Sequence, residues 1–146
     1  MAHVGTYLNF PRNTEEAFNF YKSVFGGDFN KDSFMRFGDM PAAEGMPPLP
    51  DADKNLLVHI ELEILGGHKL FGTDAPESMG FTVNKGNNVH ISLQPDTRTE
   101  TKRLFDALSA GGKVTMALDD MFWGAYYGSF TDKFGVQWMV NCYAKA

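Results

Sequence analysis

The chain has 146 residues, 43% of them apolar, the size and composition of one ordinary globular domain that folds without staples. Thirteen basic against 18 acidic residues give a net charge of -5, which argues against a nucleic-acid partner and against docking on an anionic membrane. The single cysteine, Cys142, cannot form an internal disulfide, and the N-terminus is not signal-like, so a cytoplasmic location is expected. Leu56 to Leu65, the longest apolar stretch, is broken by His59, Glu61 and Glu63, so no segment spans a bilayer. Aromatic residues make up 14% of the chain, which calls for a well-packed core or an aromatic pocket.

Thr6, Leu8 and Phe10 alternate with Gly5, Tyr7 and Asn9, the period of a strand with one face on a core. A helix follows from Thr14-Glu15 to Gly26-Gly27, with Ala17, Phe18, Tyr21, Val24 and Phe25 on one face. Strands are expected over about 28–37, 56–65 and 68–74, with Gly66-Gly67 as a tight connection. Pro41 to Asp53 reads as a long surface loop, and residues 75–87 as a linker. The second half starts again with Val89, Ile91 and Leu93 alternating with His90, Ser92 and Gln94. A second helix from Thr99-Glu100 to Gly111-Gly112 carries Leu104, Phe105 and Leu108, and strands are expected over about 113–119, 125–131 and 136–143. Thr14 and Thr99 are the expected N-caps.

The two halves share a layout at an offset of 85, which pairs Val4 with Val89, Leu8 with Leu93 and Phe20 with Phe105. This gives an α+β domain over 1–146 made of two tandem βαβββ modules, about 1–74 and 88–146. An unrelated α+β domain with accidental symmetry is the competing reading. Strand parity sends Leu8, Phe10, Ile91, Leu93, Trp138 and Val140 toward the helices. Tyr7, Asn9, Phe71, Thr73, His90, Ser92, Gln137, Met139 and Asn141 face the other way.

Tyr7-Leu8-Asn9-Phe10, Glu16 to Tyr21 running into Phe25-Gly26-Gly27, Thr73-Asp74, Phe122-Trp123-Gly124 and Asp132 to Trp138 occur in that order. On these residues the sequence resembles the vicinal oxygen chelate (glyoxalase/bleomycin resistance/dioxygenase) superfamily, and within it the PhnB-like subgroup. The resemblance implies that the modules form a half-open mixed-sheet barrel around a cavity, with the helices outside and two chains in a homodimer. It also implies a divalent metal held by His and Glu from the first and last strands of each module. Those positions fall at Gly5, Phe71, His90 and Met139, of which only His90 is a suitable donor, so no metal or other cofactor is expected.

His59, Glu61 and Glu63 share a strand face and form the best rival metal cluster, against a reading as a plain solvated face. His3 lies near a fraying terminus, and His68 reads as a surface turn residue. PhnB-like chains are sometimes labelled ubiquinone-precursor methyltransferases, but no Gly-rich strand-to-helix turn is present to hold a methyl-donor nucleotide. The expected ligand contacts are Tyr7, Asn9, His59, Phe71, Asp74, His90, Trp123, Tyr126, Met139 and Asn141, a set suited to a small organic molecule. The alternative is a metal-dependent lyase, isomerase or dioxygenase with a non-standard ligand set around His90, or His90 as general base with Asp74 or Glu61 as partner.

Overall fold

The computed structural model describes residues 2–41, 45 and 48–144. The elements run β1 (Thr6–Phe10), α1 (Thr14–Phe25), β2 (Met35–Arg36), β3 (Leu57–Glu63), β4 (Lys69–Asp74), β5 (Ile91–Leu93), α2 (Arg98–Ser109), β6 (Lys113–Asp120), β7 (Tyr126–Thr131) and β8 (Gln137–Cys142). The chain divides into two compact units, 1–83 and 84–146. Each is a βαβββ module with a four-stranded mixed sheet. The strand orders correspond: β1-β4-β3-β2 in module one and β5-β8-β7-β6 in module two. The first and last strands of each module are parallel neighbours, and the other pairings are antiparallel.

In module one the apolar stripe of α1, Ala17, Phe18, Tyr21 and Val24, is buried with Phe10, Ile60, Leu62 and Leu70 of the sheet. Phe18 lies so close to Gly72 that a Cβ there would overlap its ring. Truncating such a fully buried ring costs about 3–5 kcal/mol. In module two, Leu104, Phe105 and Leu108 of α2 are buried with Leu93, Phe130, Trp138, Val140 and Cys142. Phe105 meets Phe130 edge-on at 5.2 Å, and the Trp138 Nε1–H donates to Asp132 Oδ2 at 2.9 Å. The hairpin before β4 turns through Gly66 and Gly67, at φ of 68° and 81°. Those values suit glycine, which has no Cβ to clash.

Local structure departs from expectation at several points. Thr14 is the first helical residue of α1 and not its cap; the preceding Asn13 makes no side-chain capping bond. The cap comes from far along the chain: Asp74 Oδ1 accepts from the Thr14 N–H at 3.1 Å and its hydroxyl at 2.8 Å. The cap of α2 is Thr97, two residues before Thr99, and its hydroxyl accepts from the Glu100 N–H at 3.1 Å.

The strand expected over 28–37 reduces to Met35–Arg36 plus an isolated Phe29–Leu62 bridge. Asn30 breaks it, because its side chain accepts from the Asp32 N–H and closes a turn. The loop expected from Pro41 to Asp53 lies partly outside the described residues. Its described end is anchored, with Asp53 buried and paired to Arg12 at 2.8 Å. No helix among the described residues is long and apolar enough to cross a membrane.

Candidate functional site

Helix α1 covers one face of sheet one, and the other face carries rings. Tyr7 is paired in register with Phe71, and Phe71 with Glu61. The His59 ring lies near both aromatics, 6.4 Å from Tyr7 and 5.7 Å from Phe71. Tyr7 is exposed, while His59 and Phe71 are half-buried. Asn9 is exposed on the same strand parity, in register with Thr73. Glu61 on this face is held by Asn30 Nδ2 at 2.6 Å and lies 3.8 Å from the Lys69 ammonium. Glu63 is exposed at the strand end. His68 is half-buried, not a free surface residue, and its Nε2 is 2.8 Å from the Thr6 hydroxyl.

Asp74 does not join this face. Its carboxylate is buried, accepting the two Thr14 bonds on Oδ1 and the Leu57 N–H at 2.8 Å on Oδ2. A carboxylate there also faces the positive end of the helix dipole. It fastens α1 and β3 to the end of β4, with both oxygens engaged inside the fold and turned away from the ring-bearing face.

In module two the helix-free face carries Tyr127, Ser129 and Thr131 of β7, paired in that order with Asn141, Met139 and Gln137 of β8. Trp123, in the β6–β7 turn, is half exposed and meets Tyr127 at 6.0 Å with the rings inclined at 64°. Ser92 of β5 is opposite Met139, and His90 precedes that strand, exposed. Tyr126 lies elsewhere. It shares parity with Phe130 and turns to the α2 side, where the Arg98 guanidinium sits 3.9 Å over its ring. Arg98 is in turn forked onto Asp120 at 2.7 and 3.0 Å, and that ion pair holds its charge firmly and keeps the Asp120 carboxyl below its usual range.

Comparison with known proteins bears on what these faces are. The family profile described as Glyoxalase/Bleomycin resistance protein/Dioxygenase superfamily matches residues 3–140. The chain belongs to that superfamily. It is 31% identical over 144 residues to the YjdN protein of Escherichia coli, covering 92% of this chain and 91% of that one. Among solved structures, protein PA1353 from Pseudomonas aeruginosa is 36% identical with a TM-score of 0.80, over 97% of this chain and 98% of that one. A PhnB protein from Bacillus cereus, described as a putative 3-demethylubiquinone-9 3-methyltransferase, shares the fold at 24% identity and a TM-score of 0.71 over 97% and 99% of the two chains.

For a superfamily member, the donor set within each module decides whether the usual metal fits. In module one it does not. A Cβ on Gly5 would overlap the Phe71 ring and stand 2.8 Å from the Lys69 carbonyl oxygen, so no ligating side chain has room there. In module two His90 is the one imidazole, and Met139 offers a thioether, a poor donor to a hard divalent ion. No group of three or more His, Cys, Asp or Glu among the described residues is placed to hold a metal. The residues present do not fit the superfamily's metal.

Sequence reasoning grouped Tyr127 with Trp123 and Tyr126 at one end of the expected cavity and left Ser129 out. Counting parity back from Phe130, a certain core position, would have placed Tyr127 and Ser129 on the helix-free face and Tyr126 with the core.

Proposed function

We propose that the protein binds a small, planar organic molecule on the helix-free faces of its sheets and does so without a metal. The observation carrying this reading is the Trp123–Tyr127 pair beside Met139 and Asn141. It joins flat stacking surface, an adaptable thioether and a polar amide, the ingredients of a ligand pocket. The Tyr7–His59–Phe71 group adds a second ring-lined surface of the same character. The methyltransferase activity in the Bacillus cereus protein's description is not carried over. The β1–α1 turn here is Pro11-Arg12-Asn13, without the glycines that let a backbone approach a nucleotide.

The test is a fluorescence titration of the purified protein with 2-naphthol, read on Trp123 with Trp123→Phe as the blank. Saturable quenching that weakens at least tenfold in Tyr127→Ala supports the site. Unsaturable quenching, or none, overturns it. In parallel, the protein as purified should hold far less than one equivalent of transition metal and gain no thermal stability from Ni, Zn, Mn or Fe. Stoichiometric metal that is lost in His90→Ala would favour the metal-dependent enzyme instead.

A cytoplasmic homodimer completes the reading. Edge strand β6 is exposed along nearly its whole length, including Val114 and Met116. Antiparallel pairing with a second copy would set Lys113 against Asp119 and Asp120 of its partner, a self-complementary arrangement. Sedimentation analysis should find a dimer, and Met116→Lys should shift it to monomer; a wild-type monomer would refute the pairing.

A further inference from the structure

Within the site just proposed, one polar atom stands apart. Asn141 Oδ1 is buried, and no donor of the described residues is within hydrogen-bond reach. Its polar neighbours on the same face are satisfied. Thr115 and Ser129 share a hydroxyl–hydroxyl bond at 2.8 Å, the Thr131 hydroxyl donates to Gln137 Oε1 at 3.2 Å, and Gln137 Nε2 donates to the Gly86 carbonyl at 2.9 Å. The great majority of buried polar atoms in folded proteins have a partner, and leaving one unpaired is costly. An exception beside an aromatic pair is therefore informative about what that pair receives.

Asn141 is the cross-strand partner of Tyr127, which in turn meets Trp123. Directly opposed residues on one sheet face have Cβ atoms about 4.5–5.5 Å apart. A flat molecule lying against the rings of Trp123 and Tyr127 covers the strand position of Asn141, and its edge meets the Asn141 carbonyl where it displaces the side chains that cover that oxygen. Met139, two residues earlier on β8, shares the face and bounds the ligand with a compliant apolar side chain.

We infer that Asn141 determines specificity: it selects planar aromatic ligands that carry an O–H or N–H donor on the ring edge and rejects the same ring with that donor capped. The inference rests on the binding site proposed above and names the class of ligand it takes. A site built to hydrogen-bond a hydroxyl or N–H discriminates strongly, because the analogue lacking the donor leaves the buried acceptor unpaired.

The experiment compares two probes of one ring system, 2-naphthol and 2-methoxynaphthalene, by Trp123 fluorescence titration of the full chain. Wild type should bind 2-naphthol about tenfold more tightly, the size of one hydrogen bond to a buried acceptor. In Asn141→Leu the preference should vanish, through weaker naphthol binding and not through loss of the methoxy compound. Asn141→Asp keeps the acceptor and should keep the preference. Asn141→Val, which favours the strand, is made in parallel so that misfolding of the leucine variant does not decide the matter, and thermal unfolding checks each variant. Equal affinities in wild type, or a preference that survives in both apolar variants, overturns the role of Asn141 while leaving the site intact. Saturable binding of neither probe overturns the site and this inference with it.

Discussion

The Phe71 ring occupies the volume that a Cβ on Gly5 would need, so the two positions where module one would supply superfamily metal ligands exclude each other as donors. The glycine is required by a neighbour and not by its backbone conformation, since its φ lies outside the left-handed region.

Gly5→Ala should therefore destabilise the protein by about 1–3 kcal/mol, the usual cost of forcing atoms into a packed position. Shrinking the ring in Phe71→Leu should recover part of that loss and not all, because the Lys69 carbonyl oxygen also crowds the site at 2.8 Å. A double-mutant cycle in urea checks this, and purely additive losses would show that the ring is not the obstacle.

Asp74 should behave as a structural residue. Asp74→Asn sets a donor amide against groups that are themselves donors at Thr14 and Leu57, and should cost about 1–3 kcal/mol. Naphthol affinity, measured below the unfolding transition, should not change. A variant of normal stability that no longer binds the probe would return Asp74 to the ligand site.

Acid should weaken module one through its paired carboxylates. The Arg36 guanidinium, forked onto Glu15 at 3.0 and 2.7 Å, holds that carboxyl below its ordinary value of 4.5. Ser78 and then Arg12 hold Asp53 below its ordinary 3.8. A depressed carboxylate stabilises the fold fully above its unfolded value, and the contribution disappears as pH falls through the lower folded value. The melting temperature should therefore be flat from pH 7 to 5 and drop below pH 4.5, with a shallower drop in the double variant Glu15→Gln, Asp53→Asn. An unchanged acid limb would exclude these pairs as its source.

Tyr126 and Tyr127 are adjacent in sequence and should separate cleanly by experiment. Tyr126→Ala removes the surface under Arg98 and should lower stability while leaving naphthol binding intact. Tyr127→Ala removes the partner of Trp123 and should weaken binding at least tenfold with a smaller effect on the melting temperature. Paired denaturation and titration curves for both variants decide this, and the reversed pattern would mean the sheet faces are misassigned.

Much of the architecture was legible because it rests on local periodicity. The alternation of Leu8 and Phe10, the stripe of Ala17, Phe18, Tyr21 and Val24, and the glycines at 66–67 each dictate a conformation within a few residues. The repeat of that layout gave the paired βαβββ modules. The β2 region failed because a single Asn30 side chain, bonding to the Asp32 N–H, ended the alternation.

The sequence by itself determined the modules and their buried faces, and it puts no hard donor side chain at Gly5, Phe71 or Met139, since chain periodicity and side-chain chemistry need no tertiary context. Tertiary structure decided which polar groups were already spent. Asp74 looked free until Thr14 and Leu57, 60 and 17 residues away, closed on its carboxylate. Asn141 looked like one amide among several until its neighbours paired with one another and left its oxygen alone. Hydrogen-bond satisfaction depends on which distant groups meet, so it is a property of the folded neighbourhood and not of residue identity.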